Sequence, residues 1–484
     1  MQDQELRDLQ VEKSKLQMEY DEMVYEAELQ NRDFIDKYII DPVYETWNIP
    51  RALRATSELS PLLVQAGFFV MTRPLLAAKA IGAAFRDMIF PSKAEKHELD
   101  RKRTLAYQYM KEDKLVIVEE GYKLSKKQEL FMSNLVPKII DYAGWWLKLI
   151  NPKAWDFYKK QINPARVFER GGAAIMNTVA EAMYLEGVKK LSQEGKTRES
   201  YPEDYKEIAN IVNTFTGRTN LGPLENATKL LSFFIFSPRM WAGVLKTMTP
   251  YALIYFGKKY SVNPVTGKKE LSVAQKMAIK EYIRFFGTTA TIMMMISALF
   301  GDDDDEEGLI KVVTDPKSSD FMKYRVGKNI RIDPWGGRQQ MIVFQSRFLA
   351  NAMTRTGSDT TVKLGTGMNP SMLNLAGQLS RNKLSPSAQL LWNYLDKREN
   401  KYGESVNRYG EPYDLSEETL NNLYPIYYES LFELWQEDPS AMAAFLTGMS
   451  FFGLGVNVYD EKDKGKLKPL KPIGEPLKPL KPVQ

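Results

Sequence analysis

Three carboxylates and two arginines around one predicted β-hairpin are the residues best suited to acid–base chemistry. Asp315, Asp320 and Asp333 lie in this stretch, with Arg325 and Arg331 between the last two carboxylates. Carboxylates are common general acids and bases in enzymes. Asp320, however, ends a Ser-Ser-Asp sequence, in which an aspartate side chain ordinarily supports a turn. The pattern therefore makes an enzyme only a minor alternative.

Composition excludes most other routes to catalysis. The 484 residues include no cysteine and one histidine, His97, which excludes disulfides, thiolate catalysis, cysteine-ligated zinc and multi-histidine metal sites. The acidic run at 302–307 fits only the first half of a calcium-binding EF-hand loop, because Thr314 stands where the bidentate glutamate belongs. We therefore predict a solvated acidic loop, no metal, no cofactor and no enzymatic activity.

The carboxylates are positioned by the one β-hairpin that the sequence clearly predicts. Met322–Val326 and Asn329–Ile332 alternate polar and apolar residues around a two-residue Gly-Lys turn. Pro334, Gly336 and Gly337 then end the second strand and redirect the chain. This hairpin is interpreted as a structural connector between helical regions. A further short edge strand is expected at 115–118, where four apolar residues follow a charged stretch.

Apolar tracts at 61–90, 230–236 and 285–300 predict either core helices or membrane-contacting helices. None reaches the roughly 20 apolar residues that a membrane-spanning helix needs. For 285–300, which contains no charge, burial is slightly favoured over membrane contact. The candidates for membrane contact are Phe68, Phe69, Phe285, Phe286, Met293, Met294 and Met295. The aromatic residues between 145 and 158 fit either a core or a belt at the level of lipid headgroups, and a core is the commoner case.

The two ends of the chain differ from its middle. Leu9, Leu16 and Met23 repeat every seven residues beside a second row of Leu6, Lys13, Tyr20 and Ala27, which predicts an amphipathic arm that docks on its own chain or joins copies. From 465 onward, LKPLKP occurs twice and predicts an extended polyproline-like tail. That tail would act as a spacer, as a docked peptide, or as a contact to DNA or lipid through its lysines.

These patterns predict a mainly α fold: an elongated multi-helix body with one small β-hairpin at 322–332 and a Pro/Lys-rich extended tail. The expected organisation is an N-terminal helical arm at 1–45, helical regions at 46–200 and 201–400, a C-terminal helical region at 401–462, and the tail at 463–484. The second helical region holds the apolar helix at 285–300 and the hairpin.

Several sequence motifs, in their order and spacing, resemble the C-terminal region of large polyvalent proteins, which tailed bacteriophages package in the virion. They are NIPRALRAT at 48–56, LSKKQELFMSNLVPKI at 124–139, TGRTNLGPLENATKLLSFFIFSPR at 216–239, DPKSSDFMKYRVGKNIRIDPWGGRQQ at 315–340, KLSPSAQLL at 383–391 and FFGLGVNVYDE at 451–461. The motif residues singled out within them are Gly217, Arg218, Pro238, Arg239, Asp320, Phe321, Asp333, Trp335, Gly336 and Gly337.

The resemblance implies a non-enzymatic internal virion protein that is delivered with DNA at infection. It implies residence inside the capsid and then in the host cell envelope, with other virion proteins and further copies of itself as partners. The apolar tracts add contact with the host membrane, and the tail adds contact with DNA. The alternative is a structural protein of the capsid or portal vertex that is never ejected.

Overall fold

Most of the chain is helical, as the sequence predicts. The computed structural model describes residues 41–54, 59–118, 139–248, 260–300, 310–354, 360–399, 405–406, 413–423, 428–437 and 441–459, apart from positions 143, 328 and 368, and four single positions of the arm, 9, 16, 20 and 23. The expected acidic loop at 302–307 and the tail at 463–484 lie outside these residues, as does most of the arm.

Many helices begin with proline, whose fixed φ angle suits a first helical turn. The helices of the N-terminal half are α1 (Asp41–Arg54), α2 (Gly67–Val70), α3 (Pro74–Ile89), α4 (Pro91–Lys102), α5 (Leu105–Glu112), α6 (Trp146–Ile150), α7 (Pro152–Phe157), α8 (Pro164–Gln193), α9 (Pro202–Phe215), α10 (Thr228–Phe234) and α11 (Pro238–Met248). π-Helical turns cover Pro61–Gln65 and Tyr158–Ile162, and a 3-10 turn covers Gly222–Ala227.

The helices of the C-terminal half alternate with short strands. They are α12 (Val273–Phe300), α13 (Gln339–Ala350), α14 (Met372–Arg381), α15 (Pro386–Leu395), α16 (Leu415–Leu423), α17 (Tyr428–Glu437) and α18 (Ala441–Phe451). The strands are β1 (Tyr260–Val262), β2 (Lys269–Leu271), β3 (Ile310–Val312), β4 (Tyr324–Val326), β5 (Ile330–Asp333), β6 (Ala352–Thr354), β7 (Thr361–Lys363), β8 (Arg398–Glu399), β9 (Ser405–Val406) and β10 (Gly455–Val458).

The long helix α8 lies at the centre of the main hydrophobic core. It packs against α3, α9 and α12, and a Cβ atom added at Gly187 would lie 2.5 Å from the Ile208 side chain, so this glycine permits the close approach of α9. The same core contains residues from 59 to 341, and Phe451 and Phe452 pack on it. The predicted regions 46–200, 201–400 and 401–462 therefore contribute to one shared core.

The predicted hairpin is present as β4 and β5, and it belongs to a larger sheet. Val326 pairs with Ile330, so three residues connect the strands, where the sequence predicted two. The full antiparallel sheet has the order β10-β5-β4-β3, and β10 comes from the far C-terminal end of the described chain. The expectation of a single hairpin is wrong, because β1–β2, β6–β7 and β8–β9 form further two-stranded sheets.

The prediction of an edge strand at 115–118 is also wrong. This segment is in neither a helix nor a strand, and its partners are side chains of α8, of α9 and of the residues just after α9. The backbone N–H groups of Val116 and Val118 donate to the side-chain oxygens of Asn213 and Asn177, at 2.9 and 2.7 Å. Arg218 donates to the Val116 carbonyl oxygen at 2.9 Å. These contacts satisfy backbone groups that a neighbouring strand would otherwise pair.

Candidate functional site

The DPWGG motif forms a buried turn between β5 and α13. The Trp335 backbone N–H donates to Asp333 Oδ1 at 2.8 Å, and its indole Nε1–H donates to the Met322 carbonyl oxygen at 2.7 Å. The indole ring stacks on Phe286, with ring centroids 5.6 Å apart. The motif therefore fixes the hairpin against the apolar part of α12.

Gly336 and Arg338 join the same turn to the segment that precedes α2. Gly336 has φ +56°, and an added Cβ atom would lie 2.3 Å from the Leu63 carbonyl oxygen. Arg338 donates to that oxygen at 3.4 Å, and its guanidinium lies over the Phe68 and Phe285 rings at 4.8 and 5.6 Å. Burial lowers the pKa of Arg338 to about 10. Its role is structural, because its contacts are to backbone carbonyls and core rings.

A carboxyl and an amine with shifted pKa values lie beside this turn. Burial raises the pKa of Asp333, while burial lowers the pKa of Lys383 to about 8. The Lys383 ammonium lies 4.2 Å from the centre of the Trp241 ring. The negative charge of Asp333 acts on Lys383 in the opposite direction, favouring its charged form. The fold thus holds a lysine whose charged form is disfavoured relative to the unfolded chain.

We expect Lys383→Met to remove a pH dependence of stability. An unfolded lysine titrates near 10.4, so between about pH 8 and that value the unfolded chain binds more protons than the folded chain. The free energy of unfolding of the wild type should therefore rise with pH across this window. Urea unfolding at several pH values should show a rise that the variant lacks. If the free energies of unfolding of the two proteins differed by the same amount at every pH in this window, Lys383 would not be the source of the pH dependence.

The other carboxylates of the enzyme alternative make turn and ion-pair contacts. Asp320 accepts from Lys323 Nζ at 2.9 Å, and its other oxygen lies 3.4 Å from Arg331 Nε. Asp315 accepts from the backbone N–H of Lys317 at 3.0 Å, as an aspartate supporting a turn does. Within the described part of the chain, no group of three or more His, Cys, Asp or Glu residues is arranged to hold a metal ion.

The motif at 216–239 also serves the core. Gly217, with φ +72°, follows the end of α9 in the left-handed conformation that ends many helices. Arg218 is buried, and burial lowers its pKa to about 10. Buried Pro238 begins α11, and buried Arg239 donates to both carboxylate oxygens of Glu225, at 3.0 and 2.6 Å. Phe321 completes the motif residues, and its carbonyl oxygen accepts from Gln339 at 3.1 Å.

The candidates for membrane contact fall into two groups. Phe68, Phe69, Phe285 and Met293 are buried in the main core and Phe286 is half-buried, so in this conformation they stabilise the fold. Met294 and Met295 are 66% and 57% exposed. Ile292 and Leu299 are exposed beside them. The structure therefore separates a core-forming set from an exposed apolar set on the C-terminal half of α12.

The expectation that 285–300 is a buried helix holds for one side of the helix only, because Phe285 and Met293 lie in the core while Met294 and Met295 are exposed. These residues end α12, a 28-residue helix, and only 17% of its most apolar 18-residue window is buried. The helix packs against α2, α8 and α9 in the core, where Phe285 and Met293 are buried, and Ser297 contacts Val312 of β3. In the part of the chain that the structure describes, α12 is the one helix long and apolar enough to cross a membrane.

The aromatic region at 145–158 differs from the expected core as well. Trp145, Trp146 and Phe157 are about half exposed, at 48%, 51% and 58%. Trp155 and Tyr158 are half-buried and stack on each other, with centroids 6.0 Å apart. Most residues of the short helices α6 and α7 are exposed. Sequence periodicity does not reveal this, because neither helix is long enough to show a repeat.

Arg338, Lys383 and the buried ion pair of Arg73 with Glu281 are important residues that sequence reasoning missed. Glu281 is fully buried and binds both Nη atoms of Arg73, at 2.5 and 2.6 Å. No local sequence signal marks such a pair, since its members are 208 positions apart. No family model, curated protein or solved structure matches the chain.

Proposed function

We propose that this protein is a non-enzymatic internal virion protein of a tailed bacteriophage, delivered with DNA and able to contact the host membrane. The sequence resemblance supports the virion role. The observation that carries the membrane role is the exposed apolar half of α12. The turn and ion-pair contacts of Asp315 and Asp320 favour a non-enzymatic protein.

The length and charges of α12 favour binding within the membrane interface over crossing the bilayer. At 1.5 Å per residue, the uncharged part at 285–300 is about 24 Å long, less than the roughly 30 Å hydrocarbon core. Lys276, Lys280, Glu281 and Arg284 precede it, and the DDDDEE run at 302–307 follows it. Moving that acidic run across a bilayer would be costly. A helix that presents an apolar side can instead lie in the plane of the interface, with that side in the acyl boundary.

We expect Met294→Glu/Met295→Glu to weaken membrane association about tenfold or more, because two carboxylates would have to enter an apolar environment. The measurement is flotation of the purified protein with phosphatidylcholine vesicles. The matched control is Leu349→Glu/Leu373→Glu, which charges two leucines that are 83% and 84% exposed on α13 and α14. Equal loss in both double variants, or no vesicle association of the wild type, would contradict membrane contact through α12.

Delivery with DNA has its own test. Mass spectrometry of full and emptied particles should find the protein in full particles and show its loss from emptied ones. Retention in emptied particles would instead support a structural role at the capsid or portal vertex. Contact of the Pro/Lys tail with DNA remains a prediction from its lysines.

The arm is proposed to join copies of the chain. Leu9, Leu16, Tyr20 and Met23 are helical and 58% to 63% exposed, which favours a partner copy over docking on the same chain. In the heptad register these residues occupy positions a and d, and position g is glutamate in four successive heptads, at 5, 12, 19 and 26. In an antiparallel pair of helices, the g positions of the two copies would face each other. Because these positions are all glutamate, their repulsion favours a parallel pair.

We expect Leu16→Glu to lower the assembly state, because it places a charge at position d of the seam. Sedimentation velocity should show an oligomer for the wild type and a smaller species for the variant. The control is Ser14→Glu, which adds the same charge at position b, away from the seam. An unchanged sedimentation coefficient in Leu16→Glu would rule out association through this seam.

A further inference from the structure

A second exposed apolar surface lies on the short helices α6 and α7 and on residues just before α6, far from α12 in the sequence. Its six large side chains are between 48% and 73% exposed, and Lys148 and Lys153 are exposed beside them. We call this set the Trp–Lys surface; its apolar members are Tyr142, Trp145, Trp146, Leu149, Ile150 and Phe157.

The Trp–Lys surface rests on a base held by polar contacts. Asp141 accepts from Asn163 Nδ2 at 2.8 Å and from Arg166 Nη2 at 2.6 Å, which ties the two ends of the segment together. The Tyr158 ring packs against Gly144, where an added Cβ atom would lie 2.5 Å from it, and its hydroxyl donates to the Ile140 carbonyl oxygen at 2.9 Å. The exposed side chains are therefore presented by a defined structure whose interior contacts lie beneath them.

The backbone of this segment suits the interface of a membrane and not its hydrocarbon core. The helices α6 and α7 have five and six residues, and α7 starts at Asn151-Pro152, where the Asn151 side chain accepts from the Lys153 N–H at 2.9 Å. Such short helices leave a large share of their terminal N–H and C=O groups outside internal hydrogen bonds. Water and headgroups can bind those groups, whereas hydrocarbon cannot.

The charge and the side-chain types of the Trp–Lys surface favour an anionic membrane as its partner. Residues 142–162 contain four lysines and one aspartate, a net charge of +3. Tryptophan and tyrosine concentrate at membrane–water interfaces, and lysines near that level are attracted to anionic headgroups. Lys159 also lies 5.4 Å from the centre of the Trp155 ring. Aromatic rings, aliphatic side chains and lysines together are the composition of an interfacial membrane anchor.

We propose that the Trp–Lys surface binds the interface of an anionic lipid bilayer. Leu149 and Ile150 enter the acyl boundary, Trp145 and Trp146 lie among the headgroups, and Lys148 and Lys153 contact their negative charges. This proposal rests on the membrane contact proposed above and adds a lipid class to it, through a surface separate from the exposed half of α12.

The test compares flotation of the full chain with phosphatidylcholine vesicles and with vesicles that also contain phosphatidylglycerol. The wild type should bind the anionic vesicles more tightly. Lys148→Gln/Lys153→Gln should reduce that preference roughly tenfold or more, because each lysine near a charged membrane adds favourable electrostatic energy. Trp146→Ser/Leu149→Ser should weaken binding to the anionic vesicles to a similar degree. Both pairs are exposed, and thermal unfolding verifies that each variant folds as the wild type does.

The variants of α12 separate this inference from the proposed function. If Trp146→Ser/Leu149→Ser keeps wild-type binding to anionic vesicles, the inference is overturned and the surface is assigned to a protein partner, whatever α12 does. If that variant binds anionic vesicles more weakly while Met294→Glu/Met295→Glu binds phosphatidylcholine vesicles as the wild type does, the Trp–Lys surface is the membrane contact and the role of α12 is overturned. No preference of the wild type for anionic vesicles also overturns the inference.

Discussion

Gly336→Ala is expected to destabilise the protein by about 2–5 kcal/mol, the sum of backbone strain and a steric clash. Gly336 has φ +56°, a conformation that costs an L-residue about 1–2 kcal/mol. The new Cβ atom would also lie 2.3 Å from the Leu63 carbonyl oxygen, which is backbone and has little freedom to move. Because the Gly336 turn meets the core beside Phe68 and Phe285, relief of the clash would disturb that packing.

The chain provides a close control in Gly327→Ala. Gly327 has φ +55°, and an added Cβ atom would meet nothing within 4 Å. Its cost should therefore be the backbone strain alone, about 1–2 kcal/mol. Urea unfolding of the two variants and the wild type measures the difference. Equal destabilisation by the two substitutions would show that the close approach of Leu63 to Gly336 does not add to the cost of Gly336→Ala.

The sequence predicts what is local in this fold and misses what is distant. The hairpin at 322–332 was predicted because its alternation and its glycine turn are contained in eleven positions, and it is present as β4 and β5. Strand β10 was missed, although Gly455 pairs with Asp333. Its partner is more than a hundred positions away, and a four-residue strand carries little periodicity. Likewise, 115–118 reads as a strand, but asparagine side chains of α8 and α9 bind it.

Burial was the hardest property to predict for the candidate sites. Phe285 and Met293 belong to the core, whereas Met294, the next residue, is 66% exposed. Residues next to each other on a helix point about 100° apart, so the uncharged tract at 285–300 holds a buried face and an exposed face. Without charged residues to mark the solvent side, the sequence gives no signal for which face is which. The exposure of α6 and α7 was missed for another reason, because helices of five and six residues are too short to show a repeat.

The motif turn and α12 are parts of one arrangement. Trp335 stacks on Phe286, and Arg338 lies over Phe285, so the turn holds the start of the uncharged tract. Arg73 holds the preceding turn of the helix through its ion pair with Glu281, and Arg73 also pairs with Glu186 of α8. Beyond these contacts, Met293 still packs in the core and Ser297 contacts β3, while Met294 and Met295 are exposed. The fold thus holds one side of α12 and leaves an apolar side of its C-terminal half exposed.

The anchoring ion pair leads to the second large effect. Arg73→Met is expected to destabilise the protein by about 3–5 kcal/mol, because it leaves the buried carboxylate of Glu281 without its main partner. Arg284, 3.4 Å from Glu281 and 39% exposed, compensates only in part. Arg73→Met/Glu281→Leu should be more stable than Arg73→Met alone, because no buried charge is left unpaired. Urea unfolding of the wild type, both single variants and the double variant gives the coupling energy of the pair.

The same variants test whether the anchor controls the exposure of α12. Arg73 ties α12 to the start of α3 and, through Glu186, to α8. Loss of this ion pair should let the C-terminal half of α12 move away from the core more easily. Arg73→Met should therefore float with phosphatidylcholine vesicles more readily than the wild type. The double variant, with an apolar contact in place of the pair, should return toward wild-type binding. Unchanged flotation of a destabilised Arg73→Met would show that the ion pair stabilises the fold without restraining the exposed apolar half of α12.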